Sequence, residues 1–144
     1  MRIVVLNGSP KGERSITLQY VYFIQKKFPL HEFKVIHVSH HIKKLEKDEV
    51  AFQEVIEEVR LADGTLWAFG VFVLAVPSQY IRFIEFISER GVEDAFRNKY
   101  TAVLSTSIHF FDHTAVKFGK SDEESLSRTC AISSSTIIAI SVKI

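Results

Sequence analysis

Short apolar segments alternate with amphipathic patterns along most of the chain, and this alternation most constrains the fold. Four segments have the length and apolar content of buried strands: residues 3–6, 33–38, 66–69 and 100–106. Three stretches between them repeat apolar residues at three- and four-residue steps, as helices do: residues 15–28, 46–62 and 78–90. Parallel strands need such crossover connections, which are right-handed. The sequence therefore predicts an α/β domain with a doubly wound parallel sheet.

The ends of the predicted helices carry recognisable signals. The first helix stops before Pro29, which cannot continue it. The second has acidic residues in its first turn, where they interact favourably with the helix dipole. Ser78 is predicted as the N-cap of the third helix, and Gly91 as its C-terminal stop.

Size and composition limit the class of protein. The chain has 144 residues, of which 47% are hydrophobic, so we expect one domain spanning residues 1–144. Its 18 Lys and Arg against 17 Asp and Glu give a net charge of +1 without a long basic run, which predicts no nucleic-acid partner. The single cysteine, Cys130, suits a reducing compartment, and no apolar run approaches the roughly 20 residues of a membrane span. We expect a cytoplasmic protein that does not bind membranes.

The segment from Asn7 to Thr17 joins the first strand to the first helix and has the composition of an anion site. Such a turn directs free backbone N–H groups and the positive end of the helix dipole toward the carboxyl edge of the sheet. Gly8 and Gly12 would let a ligand approach the backbone closely. The segment also supplies hydroxyl donors and cations: Ser9, Ser15 and Thr17, with Lys11 and Arg14. Phosphate is the predicted guest; the alternative is an ordinary turn before a Ser-capped helix.

Other phosphate-binding loops do not match these residues. The spacing of Gly8 and Gly12 fits neither a P-loop nor the dinucleotide motif G-x-G-x-x-G. A tyrosine-phosphatase loop needs a cysteine six residues before its arginine, and Gly8 stands there relative to Arg14. A receiver domain needs acids beside the first and third strands, where Leu6, Asn7 and Gly70 occur.

Three segments together carry a family resemblance: "NGSPKGERSITLQY", "DGTLWAFGVFVLAVPSQYIRFIEFISERG" and "KYTAVLSTSIHFFDHTA". Over about residues 1–115 the chain resembles the flavodoxin-like, NAD(P)H-dependent FMN reductases, a group related to the iron-sulfur flavoproteins. The resemblance implies strand order 2-1-3-4-5, FMN as cofactor, NAD(P)H as transient hydride donor and a small-molecule electron acceptor. It also implies a homodimer. Binding of FMN at the strand-order switch point of flavodoxin is itself the standard example of this rule.

The resemblance assigns cofactor-binding residues and no catalytic ones, because the flavin carries the chemistry. The phosphate would lie against Ser9, Lys11, Arg14, Ser15 and Thr17. The ring would lie between two walls: Gly70, Val71 and Phe72 after the third strand, and Thr106, Ser107, Ile108, His109 and Phe110 after the fourth. The family usually has Pro-x-Tyr where this chain has Gly70-Val71-Phe72, so an aromatic face is kept but a hydroxyl and the stiffness of proline are lost.

The sequence also argues against metal centres. Cys130 alone cannot hold an iron-sulfur cluster. The histidines at 37, 40, 41, 109 and 113 lack regular metal-ligand spacing, so we predict hydrogen-bonded or solvated histidines and no metal. Residues 116–144 do not resemble the family's continuation. This tail is either a shortened variant that rebuilt its edge, with residues 135–144 as a fifth strand, or the product of a lost reading frame.

The predicted activity is therefore transfer of hydride from NAD(P)H through FMN to an unidentified acceptor. The alternative is a non-catalytic flavin- or phosphate-binding module whose turnover was lost with its C-terminal part.

Overall fold

The computed structural model describes residues 1–71 and 76–107 and the backbone of residues 137–143. The described residues include five strands: β1 Arg2–Asn7, β2 Glu32–Ile36, β3 Gly64–Gly70, β4 Tyr100–Ser107 and β5 Ile137–Lys143. They also include four α-helices: α1 Ile16–Lys27, α2 Ile42–Lys47, α3 Glu49–Leu61 and α4 Ser78–Glu89. Two short 3-10 helices, Gly12–Arg14 and Glu93–Phe96, lie in the connections.

The strands form one parallel sheet in the order β2-β1-β3-β4-β5, which confirms the predicted fold class. The register places Asn7 of β1 opposite Ala68 of β3, and Gly70 of β3 opposite Thr106 of β4. Because parallel strands end at the same edge, the segments that follow β1, β3 and β4 begin close together. This edge contains the predicted site.

The core lies on both faces of the sheet, and β3 shows why. Its alternate residues Leu66 and Ala68 pack with α1, whereas Trp67 and Phe69 pack in the larger cluster that contains residues of α3 and α4. All four side chains are buried. A central parallel strand is buried on both faces, so it is apolar throughout rather than alternating with polar residues.

The predicted helix at residues 46–62 is interrupted, so its start was wrong. A separate short helix, α2, ends at Lys47, and α3 begins at Glu49 with Asp48 as its N-cap. The Asp48 carboxylate accepts hydrogen bonds from the backbone N–H groups of Val50 at 3.0 Å and Ala51 at 3.2 Å. A short acidic side chain satisfies the free N–H groups of a helix start better than it fits a helix interior.

The prediction for α4 was wrong at its start and right at its end. Pro77 is the N-cap, Ser78 is the first helical residue, and no side chain caps the helix. At the other end Gly91 has φ +62°. Its N–H donates to Ser88 O at 3.1 Å, and the N–H of Val92 donates to Ile87 O at 3.0 Å, which is the Schellman arrangement of helix ends.

The last described segment is the fifth strand. Its backbone pairs in parallel with β4, from Thr101 opposite Ile137 to Ser107 opposite Lys143. The β-branched composition of residues 135–144 predicted such a strand as one of two alternatives, the other being an end without defined structure. The sequence also has a marginal helical pattern at residues 121–130, which lies outside the described residues. Within the part of the chain that is described, no helix is long and apolar enough to cross a membrane.

Candidate functional site

The site is built on the β1–α1 loop, residues 8–15. This loop closes on itself before α1 begins: the N–H of Gly12 donates to Ser9 O, and the N–H of Ser15 donates to Gly12 O, both at 3.2 Å. Gly12 has φ +57°, a conformation that glycine adopts without strain. The loop is therefore a compact turn that delivers the chain to the first residue of α1.

Asn7 holds this turn from inside. Its side chain is fully buried, its Oδ1 accepts the N–H of Ser9 at 3.1 Å, and its Nδ2 donates to Gly12 O at 3.3 Å. Two points of the loop are thus tied to the last residue of β1. Asn7 was not among the predicted site residues. The available signal was an asparagine at a strand end, whose side chain commonly bonds to the backbone two residues on.

The three hydroxyl residues of the predicted phosphate site are in the loop and in the first turn of α1. Ser9, Ser15 and Thr17 are all buried. Ser15 stands at the N-cap of α1, but its side chain caps no N–H group of the helix. The first N–H groups of an α-helix have no partner within the helix. This 12-residue helix therefore begins without the serine cap that the alternative to a phosphate site supposed.

Thr17 also connects this loop to the neighbouring predicted segment. Its Oγ1 lies 2.6 Å from Oγ1 of Thr106 near the end of β4, and both residues are buried. A hydroxyl group donates one hydrogen bond and accepts others. When Thr106 donates to Thr17, the proton of Thr17 remains able to donate to a ligand.

The segment after β3 reaches the same edge. The N–H of Val71 donates to Thr106 O at 2.8 Å, directly after the paired residues Gly70 and Thr106. The structure therefore brings Gly70, Val71 and Thr106 together with Thr17, and the backbone of Ser107 continues β4 beyond them. Phe72, Ile108, His109 and Phe110 lie outside the described residues.

The two predicted cations are on the surface of the loop. Lys11 and Arg14 are both exposed, at the two ends of the short 3-10 helix. The N–H of Lys11 donates to Ser9 Oγ at 3.3 Å. The main chain at Lys11 is therefore held by Ser9, one of the residues predicted to bind the phosphate. Exposed cations contribute a favourable field for an anion rather than a fixed geometry.

Packing against α4 requires a glycine at position 8. A methyl group at Gly8 would lie 2.6 Å from Cγ of Tyr80, which is closer than carbon atoms can approach. Tyr80 is buried, and its hydroxyl donates to Leu6 O at 2.8 Å, which fixes the ring against the end of β1. The close approach at Gly8 is thus to an aromatic ring of α4.

The histidines after β2 contact this loop through hydrogen bonds. Nδ1 of His37 lies 2.9 Å from Nδ2 of Asn7, so the ring nitrogen accepts and the amide donates. Burial lowers the pKa of His37 below its ordinary value. His40 donates from Nδ1 to Pro10 O at 3.1 Å. His37 and His40 are hydrogen-bonded, as predicted, and over residues 1–71 and 76–107 no three potential ligands group around a metal position.

The fold and this loop define the class: a flavodoxin-like domain with a candidate phosphate site at the carboxyl edge of its sheet. The sequence profile of a family described as NADPH-dependent FMN reductase matches residues 1–117. The chain therefore belongs to this family of flavin-dependent oxidoreductases, which confirms the resemblance. FMN and an NAD(P)H donor, the predicted cofactors, are those of the family.

Solved structures share the fold at low sequence identity. An NADH:FMN oxidoreductase (EMOB, apo form) matches with a TM-score of 0.71 and 16% identity over 99% of this chain and 74% of its own. The flavoenzyme FerB, an NAD(P)H:(acceptor) oxidoreductase from Paracoccus denitrificans, gives 0.70 and 17% over 98% and 75%. An oxidoreductase from Corynebacterium diphtheriae gives 0.72 and 15% over 99% and 81%. A comparison with curated protein sequences finds no significant match.

Proposed function

We propose that this chain binds FMN by its phosphate at the start of α1 and passes hydride from NAD(P)H to a small-molecule acceptor. One observation carries the proposal. Ser9, Ser15 and Thr17 are buried in the loop and first turn of α1, and the side chain of Ser15 does not cap that helix. The N–H groups of the first helical turn and the hydroxyl protons of these residues are hydrogen-bond donors, and a phosphate supplies several charged acceptors for them.

Each loop residue has a stated role in this proposal. The first N–H groups of α1 and the hydroxyls of Ser9, Ser15 and Thr17 donate to the phosphate oxygens. Thr17 does so while it accepts from Thr106. Lys11 and Arg14 attract the dianion from solution, which raises the rate of association more than it fixes the bound geometry.

The walls of the ring site follow the resemblance. Gly70, Val71 and Phe72 would lie against one side of the isoalloxazine, and Thr106, Ser107, Ile108, His109 and Phe110 against the other. The hydrogen bond from Val71 N–H to Thr106 O holds the two described wall segments in one register. When bound, FMN supplies the redox chemistry by taking up a hydride and passing electrons to the acceptor. The protein residues orient the ring and require no acid or nucleophile of their own.

Anaerobic reduction tests the activity. The purified protein is loaded with FMN, NADPH or NADH is added without oxygen, and the visible absorbance of oxidised flavin is followed. We expect the absorbance to fall with at least one donor and to return when a quinone acceptor is added. As a control, Thr65→Val alters a buried threonine pair at the opposite end of β3 and β4, away from the proposed site. This variant should be reduced as the wild type is.

The same experiment separates the two functional hypotheses. Stoichiometric FMN that neither donor reduces contradicts the enzyme and leaves the non-catalytic flavin-binding module. Absence of FMN binding contradicts the phosphate site itself.

A further inference from the structure

The β1–α1 loop is held through a hydrogen bond that one protonation state of a histidine forbids. Asn7 uses both protons of Nδ2, one toward Gly12 O and one toward Nδ1 of His37. Its Oδ1 is occupied by the N–H of Ser9. The amide orientation is therefore fixed by three contacts, and Nδ1 of His37 has to be an acceptor.

We propose that Asn7 and His37 are positioning residues for the phosphate site, and that the loop holds FMN tightly only while the His37 ring is neutral. This inference rests on the proposed FMN site. It assigns a role to two residues that touch the loop from within rather than the ligand.

A proton on Nδ1 of His37 would place two donors against each other at 2.9 Å. Rotating the Asn7 amide does not relieve this. Oδ1 would then face the ring but also Gly12 O, and Nδ2 would face the N–H of Ser9. Rotation therefore breaks the contacts that hold Ser9 and Gly12, and without rotation the two donors repel each other and displace the Asn7 amide that makes those contacts. In both cases protonation loosens the loop that presents the phosphate donors.

His40 provides a contrast within the same segment. It donates from Nδ1 to Pro10 O at 3.1 Å, and Nδ1 carries a proton in the charged ring as well. Its contact with the loop is therefore compatible with both protonation states. Only the His37 contact depends on pH.

Several groups act on His37 and set the direction of its titration. Burial lowers its pKa most, and the neighbouring His41 and His40 lower it further. Glu13, which is in the 3-10 turn of the loop, acts in the opposite direction. A bound phosphate would add a second negative charge that favours the protonated ring, so the proposal requires the hydrogen-bond conflict to outweigh this attraction.

The test is an FMN titration of the wild type and of His37→Asn, by quenching of flavin fluorescence. Asparagine can place its Oδ1 where Nδ1 of histidine lies, so it keeps an acceptor for Asn7 but does not titrate. At about pH 8 an ordinary histidine is neutral, and we expect the two proteins to bind FMN with similar affinity. At about pH 5 we expect the wild type to lose more of its affinity than His37→Asn does, by a factor that grows as the pH falls and is limited to tenfold per pH unit for one proton.

Two controls isolate the histidine. The phosphate itself gains a proton near about pH 6, and this common loss cancels in the ratio of the two proteins. His40→Asn keeps a donor toward Pro10 O and should still lose affinity at low pH, but with the loss beginning at a higher pH, because the pKa of His37 is no longer lowered by His40. Equal relative losses in wild type and His37→Asn overturn the inference.

The NMR titration of the His37 ring gives an independent readout. Linkage is reciprocal, so a ligand that binds the neutral form must lower the pKa of His37 when it binds. We expect saturating FMN to lower it, and a raised or unchanged pKa overturns the inference. If the protein binds no FMN at about pH 8, the proposed function fails and this inference fails with it. If FMN binds normally but His37 has no effect on binding, only this inference fails.

Discussion

Thr17 and Thr106 are 89 positions apart in sequence, yet their Oγ1 atoms lie 2.6 Å from each other in the buried edge of the sheet. The contact joins the start of α1 to the end of β4. It thereby connects the predicted phosphate segment with one predicted wall of the flavin site, and it fixes where the first turn of α1 lies relative to the sheet.

A double-mutant cycle measures this contact. Thr17→Val or Thr106→Val leaves one buried hydroxyl without its partner, which should cost about 1–3 kcal/mol of the free energy of unfolding. Thr17→Val with Thr106→Val should cost less than the sum, because neither hydroxyl then remains unpaired. Urea unfolding provides the four values.

The chain offers a matched pair for that cycle. Thr65 and Thr101 are also buried on β3 and β4, but their Oγ1 atoms are 3.4 Å apart. The longer contact predicts a smaller coupling free energy. Strict additivity for Thr17 and Thr106 would show that their contact contributes nothing to stability.

Gly8→Ala tests the packing of the loop against α4. The added methyl group would overlap the ring of Tyr80, and such overpacking typically costs about 1–3 kcal/mol. Adding Tyr80→Val should recover part of that cost, because the smaller side chain leaves room for the methyl group. Tyr80→Phe, which removes the hydrogen bond to Leu6 O but keeps the ring, should not rescue Gly8→Ala.

The stability of the protein without ligand should depend on pH through His37. Its pKa is lower in the folded protein than its ordinary value of 6.5 because of burial. Between these two values the unfolded chain binds more protons, so the free energy of unfolding falls as pH drops through this window and the loss is complete below the folded pKa. Urea unfolding of wild type and His37→Asn should agree above the window and diverge within it. A difference that is constant at all pH values would contradict this origin.

The fifth strand makes a prediction for hydrogen exchange. Residues 137–143 pair in parallel with β4, so alternate N–H groups of this strand donate to β4. We expect those amides to exchange more slowly than an unfolded chain but faster than the central strands β1 and β3, because an edge opens more easily. Exchange of the whole segment at the rate of an unfolded chain would contradict the strand.

The elements that the sequence predicted well are those whose signal is local. Apolar runs predicted the strands because the side chains of a central parallel strand are buried on both faces, as residues 66–69 of β3 are. Gly91 gave the end of α4 because a left-handed residue at a helix end needs glycine. The break at Asp48 was missed because the apolar spacing continues across it, although the N-cap residue was visible.

The contacts that shape the site could not be predicted in the same way. The helical pattern of residues 78–90 puts Tyr80 on the apolar face, but the contact of its ring with Gly8 depends on how α4 lies on β1. The pairing of Asn7 with His37 depends on β2 lying beside β1. Such contacts join residues that only the sheet order brings together. Sequence patterns indicate which residue types are present and not which of them meet.

The central claim is that the start of α1 binds the phosphate of FMN, and a comparison of FMN with riboflavin tests it most directly. Riboflavin keeps the ring and lacks the phosphate. Each charge-assisted hydrogen bond contributes about 1.5–3 kcal/mol, so losing two or more should weaken binding at least about 100-fold. Thr17→Val should weaken FMN and leave riboflavin unchanged, while Thr65→Val should change neither. Fluorescence titration should give a Kd for FMN at least about 100-fold below that for riboflavin; equal Kd values for the two flavins would contradict the account.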